Sequence, residues 1–170
     1  MYRHFRQAVL VLLLSVLPSA AQDRPVHTLD SLSRLSWCEL EQIYRQAEPG
    51  ESPQGFHRGH VIYPPCDKLA GPRERISNFL WLGKHFCGTT LINQWRGVRL
   101  IKADVGPGES WLDGRPAHIL DYQHTSLLWR SVRDETREVS PGVYIGAMYL
   151  RHCPEPQLKL LFLLERAPCR

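Results

Sequence analysis

The chain has 170 residues, with 21 Lys plus Arg against 17 Asp plus Glu, which is room for one domain of ordinary size and excludes a multidomain machine. Its 43% apolar and 22% charged residues are those of a globular protein with a buried core, not of a disordered tail or a fibrous repeat. With so small a basic excess and no dense Lys/Arg block, binding to a nucleic-acid backbone has no support.

The first element in chain order is a leader. Arg3, His4 and Arg6 precede the apolar run Ala8 to Leu17, and Pro18 and the small residues Ser19, Ala20 and Ala21 follow. This is the pattern of a secretory signal peptide over residues 1–21, and the run is about half of the roughly 20 residues a membrane-crossing helix needs. The reading places the protein in the periplasm or outside the cell, as a single domain over residues 22–170 without stable membrane insertion. Cys38, Cys66, Cys87, Cys153 and Cys169 all follow the leader. In an oxidising compartment disulfides are expected, with at least one thiol left over and the connectivity open.

Ser36 and Glu39 form a capping box, with Leu35 and Leu40 at the positions of a hydrophobic staple, so a helix is expected over about residues 37–46. It serves either as a lid or as a helix packed on the main body. From Gln54 onward the apolar period shortens from helical to alternating. Strands are expected at His57–Tyr63, Phe79–Cys87, Thr90–Trp95, Val98–Val105, Ala117–Tyr122, Leu128–Val139, Val143–Arg151 and Leu158–Leu164. Turn signals lie at Gly106-Pro107-Gly108, Asp113-Gly114, Pro141-Gly142 and Pro154-Glu155-Pro156. Eight consecutive strands with short links describe a mainly β fold, an antiparallel meander. Closing it into a barrel removes its edges, and a sandwich is the alternative.

The last strands say most about what the barrel holds. Val143 to Leu150 and Leu158 to Leu164 are apolar on both faces, so one face requires an outer cover and the other an apolar interior, filled or open. Arg130 to Val139 is charged on both faces, with Arg133, Glu135 and Arg137 on one and Asp134 and Glu138 on the other. Inward charges survive only when paired. The expected site combines an apolar wall of Trp81, Tyr122, Tyr144 and Tyr149 with an anchor of Arg133, Glu135 and Arg137, in which Arg137 holds an anionic head group. No metal or other cofactor is expected: His57 and His60 point to opposite faces of a strand, and His85 with Cys87 makes only half a tetrahedral site. No nucleophile elbow or phosphate loop is present.

An exported chain with one capped helix and about eight strands resembles the calycins, the lipocalins and fatty-acid-binding proteins, across roughly residues 54–164. The Gly-x-Trp that a lipocalin carries near its first strand is absent, the nearest fragments being Trp81-Leu82-Gly83-Lys84 and Trp95-Arg96-Gly97, later and in the wrong order, and Tyr149-Leu150-Arg151 reverses the Arg-x-Tyr pair of fatty-acid-binding proteins. Trp-x-Gly-Lys, Asp-Gly-x-Pro-Ala and Arg-Asp-Glu-x-Arg-Glu-Val also resemble phrases of uncharacterised secreted bacterial proteins. The resemblance implies an exported carrier of a small hydrophobic or amphipathic molecule, such as a lipid, in the barrel interior. The alternatives are a small acid–base enzyme using Asp134 or Glu135, and an interaction module with a solid core. The exported protein is expected to have the mass of a chain starting at Gln22; a mass retaining Met1 to Ala21 refutes the leader.

Overall fold

The computed structural model describes residues 26–152 and 154–168; the leader, Cys153 and Cys169 lie outside them. Two short helices come first, α1 (Leu29–Leu32) and α2 (Trp37–Gln46). Eight strands follow: β1 (Gly55–Ile62), β2 (Trp81–Cys87), β3 (Thr90–Trp95), β4 (Val98–Glu109), β5 (Pro116–Asp121), β6 (Val132–Ser140), β7 (Val143–Leu150) and β8 (Gln157–Arg166). A further helix, α3 (Ala70–Leu80), joins β1 to β2. The strands form a closed antiparallel barrel in sequence order. It closes where β1 pairs β8, from His57 opposite Arg166 to Ile62 opposite Leu161, so that every strand has two neighbours.

The helix α2 begins at the expected capping box: Ser36 N–H donates to Glu39 Oε2 (2.8 Å) and Glu39 N–H to Ser36 Oγ (3.4 Å). Its buried Leu40 and Tyr44, with Leu32 of α1, pack on Val143, Ile145, Ala147, Tyr149, Leu161 and Leu163 of the barrel's outer face. This is the outer cover that the two-sided apolar strands require, and each fully buried leucine contributes about 1.5–3 kcal/mol. The other alternating set, including Tyr144, Leu160, Phe162 and Leu164, fills the interior. Leu158 departs from its expected set and joins the outer cluster, because a bulge between Met148 and Tyr149 shifts the register where β8 begins.

Three expectations require correction. The residues before β2 form α3, so Phe79 and Leu80 are helical; Pro72 falls in the first turn, where it breaks no helical hydrogen bond. Gly106-Pro107-Gly108 is not a turn: β4 continues through it paired to β5, beyond the last β3 partner at Asp104. A proline is tolerated there because that stretch is locally an edge. Leu128 to Ser131 belong to the connection before β6. The hairpin at Pro141-Gly142 falls between β6 and β7 as expected. Among the described residues there is no disulfide, and Cys38, Cys66 and Cys87 are exposed free thiols.

Strand β6 is buried over most of its length on both faces. Outside, Arg137 is fully buried and uses all five of its N–H donors. They go to Asp113 Oδ1 (2.6 Å) and Oδ2 (2.7 Å) and to the carbonyls of Pro116 (2.9 Å), Tyr44 (3.1 Å) and Arg115 (3.1 Å). The guanidinium also lies 4.5 Å from the Tyr44 ring centroid. It therefore ties the β4–β5 connection and the end of α2 to the barrel wall.

Replacing Arg137 by Ala strands Asp113 and three carbonyls, and is expected to lower unfolding free energy by about 3 kcal/mol in urea titration. Arg137 holds the Asp113 carboxyl below its ordinary value of 3.8. Its contribution is thus complete above that value and is lost as pH falls through the lower folded value, so wild type and Asp113→Asn should converge in acid. His57, inside the barrel, is pushed by burial down to about 4 from 6.5. The unfolded chain binds that proton first, so stability is expected to drop between pH 6.5 and 4, by on the order of 2 kcal/mol, and His57→Phe should flatten that slope.

Candidate functional site

The interior is divided lengthwise. Toward the β2–β3 and β6–β7 turns it is solid: His57 packs edge-on between Phe86 (5.3 Å between ring centroids) and Tyr144 (5.4 Å), and Leu91 and Leu164 are fully or almost fully buried. Toward α3 a cavity of about 150 Å³ remains. Its walls are chiefly Val61, Trp81, Trp95, Trp129, Leu160 and Phe162, with Tyr63, Met148 and Ser77 of α3 also lining it. The Trp81 and Phe162 rings meet edge-on at 6.2 Å. Gly146 makes room for the second of these, since a Cβ there would collide with the Phe162 ring.

Lys84, Asn93 and Asp134 supply the polar part of the cavity lining. Regular alternation would not turn both Trp81 and Lys84 inward. A register shift between Trp81 and Gly83 does so, with Gly83 at φ +137°, where a Cβ would strike the His57 carbonyl. The buried Lys84 ammonium donates to Tyr122 Oη (2.7 Å), Asp134 Oδ2 (2.9 Å) and Asn93 Oδ1 (3.1 Å). It also lies 5.0 Å from the Phe162 ring centroid, 5.4 Å from Tyr122 and 5.5 Å from Trp81, the surroundings that favour a desolvated cation.

The donors and acceptors of this network nearly balance. Lys84 has three N–H bonds and all are used. Asn93 accepts from Trp81 Nε1 (3.0 Å) and Lys84, and its amide donates to Tyr122 Oη (3.1 Å) and the Ile101 carbonyl (3.0 Å). Tyr122 Oη accepts twice and donates once, to Asp134 Oδ2 (3.1 Å). Burial, followed by the charge on Asp134, raises the Tyr122 phenol well above its ordinary value, so it remains a donor. What is left over is Asp134 Oδ1, a buried acceptor without a protein partner; Trp95 Nε1, on another wall residue, is a buried donor without one.

The expected anchor is elsewhere. Arg133, Glu135 and Arg137 share one face as expected, but it is the outer face, beneath α2 and the β4–β5 connection, because the inward register of β6 belongs to Asp134. Glu135 accepts from Arg133 Nη1 (2.7 Å), Trp111 N–H (2.9 Å), Ser110 Oγ (2.5 Å) and Tyr44 Oη (3.0 Å). Both its oxygens are engaged, so this cluster fixes the fold and has no free acceptor for a ligand. Trp81 is a cavity wall as expected, and Tyr122 belongs to the network beside it. Tyr144 faces inward but in the solid half, where its hydroxyl donates to the Glu51 carbonyl (2.9 Å), while Tyr149 is outside under the helices. Sequence reasoning missed Lys84, Asn93, Trp95 and Trp129. Trp95 and Trp129 carried a signal, since two tryptophans near strand ends at one end of a barrel suggest a mouth; Lys84 carried none without the bulge.

No family model matches the chain, and no curated protein matches it. A solved structure of a protein from Thermomonospora curvata is similar at 22% identity and a TM-score of 0.52, over 79% of this chain and 89% of that one. The likeness is one of fold.

Proposed function

We propose that this barrel is an exported carrier of one small, largely apolar molecule, held in the cavity between α3 and the Lys84–Asp134 network, in the manner of a calycin. The observation that carries the reading is the chamber itself, walled chiefly by aromatic and aliphatic side chains, with Asp134, whose Oδ1 is a buried acceptor without a protein partner, in its polar lining. A buried acceptor without a partner costs about 1–3 kcal/mol, which a ligand donating a hydrogen bond recovers. The preferred ligand therefore carries a hydroxyl or N–H group. An anionic head group is disfavoured, because Lys84 has no donor left and the free atom is itself a carboxylate oxygen. A cavity of about 150 Å³ matches one six-membered ring, the size at which other apolar cavities accept benzene. A fatty acid would have to leave most of its chain outside. Residues 1–21 support the exported compartment by their composition.

Titration with phenol and with toluene, followed by tryptophan fluorescence, tests the reading. Phenol is expected to saturate, with toluene binding at least about tenfold more weakly for want of a donor. Met148→Phe should take up part of the chamber and weaken binding while leaving the thermal midpoint nearly unchanged. In Asp134→Asn the amide oxygen must take the Lys84 and Tyr122 bonds, which places an NH₂ where the free acceptor was, so phenol should lose its advantage over toluene. Failure of phenol, toluene and a fluorescent fatty acid all to saturate would refute the carrier. Conversion of a bound molecule to a product of different mass would replace it by the acid–base enzyme.

A further inference from the structure

Helix α3 is attached to the barrel by its polar face. Asn78 receives Val61 N–H on Oδ1 (2.6 Å) and donates Nδ2 to the Val61 carbonyl (3.0 Å), Glu74 Oε1 receives Tyr63 N–H (2.8 Å), and Ser77 Oγ meets Tyr63 Oη at 3.3 Å. The apolar stripe is turned outward: Ile76 is 61% exposed, Phe79 57% and Leu80 42%, with Leu69 at 55% just before the helix. No residue of the helix is buried. That is the reverse of how a surface helix packs on a soluble core.

The surrounding connections continue this surface. Val98 and Leu100 lie at the start of β4, and Leu127 and Leu128, 89% and 91% exposed, lie in the β5–β6 connection. Antiparallel order brings the β1–β2, β3–β4, β5–β6 and β7–β8 connections to one end, where the cavity also lies. Of the exposed large apolar side chains among the described residues, only Val26 and Trp111 fall elsewhere. The pieces touch: the Arg96 guanidinium lies 4.1 Å from the Phe79 ring centroid, and Trp95 meets Trp129 edge-on at 6.3 Å. A contiguous apolar rim of this kind marks an interaction surface.

The charge at this end is distinct from the rest. Residues 67–80, 95–100, 122–131 and 151–156 together carry seven Lys and Arg against three Asp and Glu, a surplus of four, equal to that of the whole chain. The rest of residues 22–170 carries 12 Lys and Arg against 14 Asp and Glu. Lys68, Arg75, Arg96, Arg99 and Arg130 are exposed and none forms an ion pair with a carboxylate in the described residues.

We propose that this end of the barrel docks on an anionic lipid bilayer, with the outward stripe of α3 and Leu127-Leu128 entering the interface and the rim arginines and lysine meeting the headgroups. Interfacial helices combine an apolar face with flanking cations in this way. The charge argues against a second copy as occupant, because a two-fold contact would set two cationic rims against each other. The docking does not depend on the cavity being filled, although it points the mouth at the bilayer.

Sedimentation of the protein with vesicles provides the test. Vesicles of phosphatidylcholine with phosphatidylserine are expected to bring it down, pure phosphatidylcholine about tenfold less well, and salt should weaken the first. Ile76→Ser with Phe79→Ser should reduce binding at least about tenfold, and Arg75→Gln about fivefold. Val26→Ser and Met148→Phe should change nothing, the latter separating this inference from the ligand reading. Because the rim side chains are exposed, circular dichroism of these variants should match wild type. No binding to the anionic vesicles, or binding that persists in the Ile76/Phe79 variant, overturns the proposal, as does self-association that this variant abolishes.

Discussion

Strand β6 is buried on both faces while carrying charge on both, and much of the molecule is organised around that conflict. An unpaired charge in such a position costs several kcal/mol, so each must be met from a distant part of the chain. Inward, Asp134 is met by Lys84 across the barrel. Outward, Arg133 and Glu135 pair with each other, and Arg137 reaches Asp113. The outer partners recruit Tyr44 of α2 and the β4–β5 connection as hydrogen-bonding groups, which fixes where the helix lies. The same strand thus sets both the polar floor of the chamber and the seat of its outer cover.

Features with a local cause could be read from the residues alone. The capping box of Ser36 and Glu39 names the start of α2, Pro141-Gly142 names a hairpin, and the apolar pairing of β7 with β8 calls for an outer cover. Features decided at a distance could not. Whether Asp134 or Arg133 faces inward depends on register, and a one-residue shift exchanges the faces. The bulge that turns Lys84 inward is visible only as one more glycine at position 83. Helix α3 was hidden by Gly71-Pro72, which reads as a break, and by an apolar stripe that packs on nothing. The cavity's apolar wall at Trp81 and the charge on β6 were therefore legible, but not which face of β6 meets the cavity.

The two halves of the barrel differ in how they meet the same shortage of space. Around His57 the rings of Phe86 and Tyr144 close the interior, and the imidazole is held neutral by burial. Around Lys84 three rings flank a cation without filling the volume beside it. A charged network resists compaction because its bond lengths and angles are fixed, so side chains next to it cannot collapse inward as they do in the apolar half. The chamber is thus a direct consequence of placing an ion pair inside a small barrel.

Closure of β1 on β8 joins residue 57 to residue 166, nearly the two extremes of the barrel sequence. Until the last strand is available, β1 and β7 each present an unpaired edge, and no shorter piece of the chain can satisfy them. A loop of this length is slow to close, whereas the other seven pairings join strands adjacent in sequence. Strand β8, by pairing β1, is therefore the clasp that converts a sheet into a vessel.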